Sequence, residues 1–147
     1  MSDSDDTLAV ALFSEILMTD QLARNRISRA LPKGMELSQF STLNHLARAG
    51  EERTPAQLAR AFHLTKGAMT NTLRKLEQAG FVHSRPDWND ARKKRIAISP
   101  AGRAARDNAI AAVIPVIRDV AERVGMERVR AALPILRELR EELGAKD

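Results

Sequence analysis

The chain has 147 residues, 44% of them apolar and 29% charged. That is long enough for one domain with its own core, and it excludes a disordered or a membrane-spanning chain. Without cysteine there is no disulfide, thiolate metal site, cysteine nucleophile or thiol redox switch. The net charge of +5 is unevenly spread: residues 1–20 hold five acids and no Lys or Arg, whereas residues 51–100 hold ten basic and five acidic side chains. A basic segment in a chain of pI about 10.2 points to a polyanionic partner, nucleic acid before membrane. The stretch from Met1 to Asp6 is acidic where a secretion signal carries basic charge, and no run of 18 apolar residues occurs. A cytoplasmic protein with no membrane partner is therefore expected.

The first predicted helix, 6–32, carries an apolar stripe of Leu8, Leu12, Ile16, Ala23, Ile27 and Leu31 and stops before Gly34. A second, 38–49, opens at Ser38 and closes at Gly50. Thr54, Pro55 and Gln57 form a capping box with proline at the first helical position, starting a helix over 55–62. After a short turn at His63 and Leu64, Thr65 caps a helix over 66–79 that ends at Gly80. Residues 81–85 and 95–99 have strand length and partial alternation, and the turn-rich, basic stretch 86–94 between them makes a β-hairpin with a long tip. Such tips are often functional. Ser99 and Pro100 start a helix over 100–124 that ends at Gly125, and 126–143 forms the last helix, ending at Gly144.

In the outer helices Ile110, Val113, Ile114, Ile117, Val120 and Val124 recur at three- and four-residue steps, and Val129, Leu133, Leu136, Leu139 and Leu143 continue the pattern. Pro115 and Pro134 fall early in their helices as candidate kinks. A central unit of about sixty residues cannot bury all these stripes. Two copies packing their terminal helices together would, so a homodimer is expected.

The helices 55–62 and 66–79 with their short turn have the order and length of a helix-turn-helix. Met69, Leu73 and Leu76 should face the core, leaving Lys66, Gly67, Thr70, Asn71 and Arg74 outward. These groups suit base edges and phosphates: Asn pairs with adenine, Arg with guanine, and a Thr methyl meets a thymine methyl. Gly67 permits close backbone approach, and the helix N-terminus favours a phosphate. A hairpin directly after such a helix acts as a wing, its tip lying over a minor groove. Arg92 would enter that groove, Lys93, Lys94 and Arg95 would meet phosphates, and Asp90 would pair with a nearby base such as Arg92 to shape the tip. An ordinary polar helix face and a solvated loop are the bland readings of the same residues.

The stretches Thr54 to Ala59, Leu64 to Thr70, Leu73 to Val82, Asp90 to Arg92 and Ile96 to Gly102 together resemble the MarR family of bacterial winged-helix regulators. The resemblance covers roughly 8–143 and is most specific over 54–102. It implies a mainly α chain with a small β-hairpin wing: a winged helix-turn-helix flanked by N- and C-terminal dimerisation helices. The domain layout is a single domain over 1–147, with dimerisation helices at 6–32 and 100–143 and a DNA-binding lobe at 38–99. It implies a homodimer that binds double-stranded DNA at a palindromic operator, usually as a repressor and often relieved by a small molecule. Thr65, Lys66, Gly67, Thr70, Asn71 and Arg74 match the family's recognition-helix positions, and Arg92 its wing-tip arginine. Asn71 stands where many members have Arg, so the preferred bases can differ, and Trp88 in the wing is unusual.

Members often bind aromatic acids between the dimer helices and the winged lobe. In this chain Phe13, Leu17, Phe40 and His45, with Arg24 for an anionic group, are the candidate effector contacts. Met18, Met35, Leu43 and Arg26 are neighbours of the same kind, and all the apolar ones could equally be core. His45, His63 and His83 are isolated, so no metal and no cofactor are expected. No nucleophile–base set or phosphate-cradling glycine loop argues for an enzyme. The alternative function is a winged-helix protein-interaction module without specific DNA recognition.

Overall fold

The computed structural model describes residues 2–145. Its elements run α1 (Asp3–Ala30), α2 (Leu37–Ala49), α3 (Pro55–Ala61), α4 (Lys66–Gln78), β1 (Val82–Pro86), β2 (Lys94–Ile98), α5 (Pro100–Val124) and α6 (Met126–Gly144). The mainly α chain with one β-hairpin follows the expected order, and the differences at the ends have local causes. The first helix begins at Asp3 because Ser2 Oγ accepts the Asp5 N–H at 3.2 Å. It stops at Ala30, Leu31 being extended (ψ 148°), as a residue before proline prefers. The second helix is capped at Glu36 rather than Ser38; the Glu36 N–H donates to Gln39 Oε1 at 2.7 Å. Phe81 is not in the hairpin, because its N–H returns to the Leu76 carbonyl to finish α4. Gly144, expected beyond the last helix, belongs to α6.

The capping box is present as read: the Gln57 N–H donates to Thr54 Oγ1 at 3.1 Å, and the Thr54 N–H donates to Gln57 Oε1 at 2.9 Å. Ser99 Oγ accepts the Gly102 N–H at 2.9 Å and donates to the Gly80 carbonyl at 2.6 Å, which ties the start of α5 to the turn after α4. The helix-turn-helix turn contains no glycine; His63 takes the left-handed conformation itself, at φ 52°. The hairpin gains a third element that the sequence did not announce. Arg53 pairs with Ile96 through two backbone hydrogen bonds of 3.0 and 2.7 Å, so the segment before α3 lies along β2.

The chain divides into two compact units, broken after Val113. Within the first, Leu43, Leu46, Leu58, Met69, Leu73, Leu76, Val82 and Ile96 make the main core. Met69, Leu73 and Leu76 face inward as their spacing predicts, which fixes which side of α4 is left outside. A smaller cluster joins Leu31, Ala109 and Val113, with Ile27 and Phe40 against it. The second unit holds the end of α5 and α6, which run through Pro115 and Pro134. Neither α1 nor α6 contains a buried residue. Leu8, Leu17 and Leu22 on α1, and Ile135 and Leu143 on α6, are each at least 58% exposed.

Candidate nucleic-acid interface

The second helix of the helix-turn-helix presents a sorted surface. Met69, Thr72, Leu73 and Leu76 are buried, while Thr65, Lys66, Gly67, Thr70, Asn71 and Arg74 are all exposed. Thr65 Oγ1 accepts the Ala68 N–H at 3.1 Å, so the hydroxyl caps α4 and keeps its own proton for an outside acceptor. Arg74 donates to Asn71 Oδ1, one turn back on the helix. This contact uses one of the two lone pairs of the amide oxygen that a two-bond pairing of Asn71 with adenine also needs.

Strand alternation gives the hairpin two different faces. Val82, Ser84, Pro86, Lys94, Ile96 and Ile98 share one, in the register Val82 with Ile98 and Pro86 with Lys94. Its buried end packs on the core, and its outer end faces α4 across a cleft of about 650 Å³. Lys66, Thr70, Arg74, Arg92, Lys93 and Lys94 line the cleft, with Thr54, Pro55 and Ala56 closing it. Five cations thus stand around one opening with a single acid, Glu77, which accepts the Ser84 hydroxyl at 2.8 Å. Thr65, Gly67 and Asn71 are exposed but lie outside the lining.

The opposite face carries Arg85 and Arg95, cross-strand partners, and both are neutralised. Glu52 takes Arg85 in a two-point ion pair of 2.6 and 2.9 Å, and the buried carboxylate of Asp87 takes Arg95 at 3.0 Å. Arg95, expected among the phosphate contacts, is therefore committed to an intramolecular pair. Glu52 and Asp87 were not singled out by sequence. The alternation that puts Arg85 and Arg95 on one face is visible there, but nothing local announces an acid 33 residues before Arg85.

At the tip, Asp90 holds Arg92 twice. Its carboxylate accepts the Arg92 backbone N–H at 3.0 Å, and the guanidinium at 3.1 and 3.3 Å. Asp87 in turn accepts the Asn89 N–H at 2.8 Å, and the Asp87 N–H donates to the Lys93 carbonyl at 3.0 Å. These contacts leave the Arg92 side chain 90% exposed while fixing its base.

Both tip carboxyls sit below the ordinary aspartate range. Asp90 is lowered first by the Arg92 side chain and then by its N–H. Asp87 is lowered first by the Asn89 N–H, against the opposing effect of desolvation, and further by Arg95. A native pKa below the unfolded one gives stabilisation that is complete above the ordinary aspartate range and is lost as pH falls through the lowered native value. The amide protons of Asn89 and Arg92 should therefore keep their exchange protection until the solution is more acidic than that range. Loss of protection within or above it would mean the carboxylates do not hold the tip.

The effector candidates are only partly assembled. Phe40 and His45 line a shallow hollow of about 480 Å³ with Asn44, Arg48 and Phe62. His45 meets Phe62 edge-on, centroids 5.4 Å apart. Burial, then Arg53 and Arg48, lower the His45 pKa, which favours the neutral ring. Phe13, Leu17 and Arg24 lie along α1 outside this lining, and Arg24 is held by Asp20 at 3.0 Å. Leu43 is part of the core and Met35 packs against it. Among the described residues no three His, Asp or Glu side chains form a metal-binding group, and no helix is long and apolar enough to cross a membrane.

Residues 33–93 match the model of the MarR family. Solved structures share the fold over nearly the whole chain. The transcriptional regulator BldR from Sulfolobus solfataricus is 24% identical with a TM-score of 0.77, covering 97% of this chain and 99% of its own. A MarR-family transcriptional regulator from Rhodococcus sp. RHA1 is 24% identical with a TM-score of 0.78, covering 95% of each. A mutant MarR from E. coli, complexed with operator DNA, is 22% identical with a TM-score of 0.77, covering 94% and 99%. The chain thus has the fold of the winged-helix regulators, and over residues 33–93 it is similar to the MarR family.

Proposed function

We propose that this chain is a cytoplasmic, homodimeric regulator that binds a palindromic operator in double-stranded DNA and represses transcription until a small aromatic or anionic ligand releases it. The observation that carries the reading is the cleft in which the polar face of α4 and the wing cations Arg92, Lys93 and Lys94 converge. That layout suits an α-helix in a major groove beside a basic tip over the adjoining minor groove. Thr65, Lys66, Gly67, Thr70, Asn71 and Arg74 read or position the duplex, and Asp90 shapes the tip. The exposed apolar residues of α1 and α6 supply the surface that a second copy covers, within a single-domain layout of dimerisation helices and a lobe over 38–99. The operator complex of the E. coli relative supports DNA as the partner. Repression is the commoner habit that the resemblance implies. The Phe40–His45–Arg48 hollow is where the effector reading has most support, with Phe13, Leu17 and Arg24 reaching it only through rearrangement or a second copy.

Selection of sites from randomised duplexes, then titration of the winner and a scrambled control at one salt, tests this. The expected winner is a palindrome with half-sites about one helical turn apart, roughly 34–36 Å, bound ~10³-fold or more over the control. Equal, salt-sensitive binding to both would replace the regulator with an interaction module. In the same assay Arg74→Ala should cost about 1–3 kcal/mol on the operator and little on the control. Its effect should be non-additive with that of Asn71→Ala, because the two side chains are bonded. Lys93→Ala should weaken both duplexes alike and lower the salt slope by about one. If Arg74→Ala also weakened both alike, it would be a phosphate contact.

A further inference from the structure

Apolar packing holds the inner end of the wing, where Val82 and Ile96 are buried in the main core. Farther out, Pro86, Lys94 and the tip from Trp88 to Lys93 are exposed or half-buried. A two-stranded ribbon that projects past its core has little of its own to fix its direction. Direction matters here, because it sets how far Arg92, Lys93 and Lys94 stand from α4 across the cleft.

Polar contacts hold the outer half from both faces. On the cleft side Glu77 of α4 accepts the Ser84 hydroxyl at 2.8 Å. On the opposite side Glu52, in the segment between α2 and α3, meets Arg85 with both carboxylate oxygens, at 2.6 and 2.9 Å. The next residue, Arg53, exchanges two backbone hydrogen bonds with Ile96, so the carboxylate extends from backbone already fixed against β2. The Trp88 ring lies over the same guanidinium, its centroid 5.4 Å from the Arg85 Cζ, so a carboxylate and an indole both constrain Arg85. A two-point pair fixes orientation as well as distance. Both side chains are half-buried, at 30% and 39% exposed, and salt screens such a pair less than a fully solvated one.

We propose that Glu52 is a positioning residue for DNA binding: acting through Arg85, it sets the angle of the wing against α4 and so the reach of the cationic tip. Glu52 lies on the face away from the cleft and does not itself meet the duplex. A wing held in place beforehand loses little freedom on binding. It also suits one groove geometry better than others, so its effect falls on the operator rather than on random DNA. This inference rests on the DNA-binding reading above.

The test compares Glu52→Ala with Glu52→Gln in the full chain. Both remove the same negative charge, but the glutamine amide oxygen still accepts from the Arg85 guanidinium. Titrated against the selected operator and the scrambled control at one salt, Glu52→Ala should lose about 3- to 10-fold in the operator-to-control ratio. Glu52→Gln should keep most of it. Wing position is read separately. The chain has no cysteine, so nitroxides can be placed at Ala91→Cys on the tip and Gln78→Cys on α4, both exposed positions. Diluted with unlabelled chain and free of DNA, the parent should show one narrow distance, which broadens with Glu52→Ala and much less with Glu52→Gln. Equal ratios for the two variants, or an unchanged distance in Glu52→Ala, overturn the positioning role and leave DNA binding intact. Equal binding of both duplexes by the wild type, or binding of neither, overturns the reading of specific DNA recognition and this role with it.

Discussion

Gly102→Ala should lower the stability of the chain by about 3 kcal/mol, among the largest effects of any single methyl group added to it. An added Cβ would stand 2.1 Å from the Phe81 carbonyl oxygen and 2.9 Å from Ile98 Cγ1. The first of these is backbone and cannot rotate away. That carbonyl is already engaged, accepting the Ser99 N–H at 2.9 Å, and Ser99 Oγ accepts the Gly102 N–H. Relieving the clash moves the first turn of α5 from the hairpin and breaks the Ser99 cap. Gly67→Ala is the control: it adds the same methyl to a helix with nothing within 4 Å, where alanine gains about 0.5–1 kcal/mol over glycine. Urea denaturation of the three proteins should order them Gly67→Ala, wild type, Gly102→Ala. A Gly102→Ala protein within about 1 kcal/mol of wild type would mean that α5 yields freely. Gly67→Ala should at the same time weaken DNA binding if the backbone of α4 comes close to the duplex.

Arg92→Ala should reduce affinity for the selected operator by about tenfold or more, the scale of one well-placed arginine. The side chain is exposed, so its loss leaves no cavity and the melting temperature should not move. The informative companion is Asp90→Ala. If Asp90 only repelled phosphate, removing its charge would tighten binding. The structure gives it a second role, since the carboxylate holds both the backbone N–H and the guanidinium of Arg92. Freed of it, the tip must be ordered at the moment of binding, so Asp90→Ala should weaken binding despite removing a negative charge. Anisotropy titrations of the two variants and their double mutant decide this. A tighter Asp90→Ala complex would reduce the carboxylate to a solvated charge.

What could be read from the sequence was what acts locally. Thr54 with Gln57 and Thr65 with Ala68 are contacts within four residues, and the Met69, Leu73, Leu76 spacing fixed the polar face of α4 before any coordinate. Pairings across distance were not readable. Arg53 meets Ile96 through one residue on each side, too short to leave a period-two signal, and Glu52 reaches Arg85 from the far side of α3 and α4. Arg95 is a case in point: its charge is visible in the sequence, its buried partner Asp87 is not. The effector residues were chosen for apolar character on α1 and α2. Apolar character says that a face needs cover without saying by what, and only Phe40 and His45 share a hollow.

The two faces of the hairpin give it a consequence for how the molecule arrives at its partner. With Arg85 and Arg95 matched by Glu52 and Asp87 on one side, and Lys94 beside the Arg92–Lys93 tip on the other, the wing's long-range field points one way. A polyanion that comes within a Debye length, about 8 Å at physiological salt, feels a torque that turns the α4 side toward it before any atom touches. Productive encounters should then be a larger share of collisions than shape alone allows, and the association rate should fall with added salt more steeply than the dissociation rate rises.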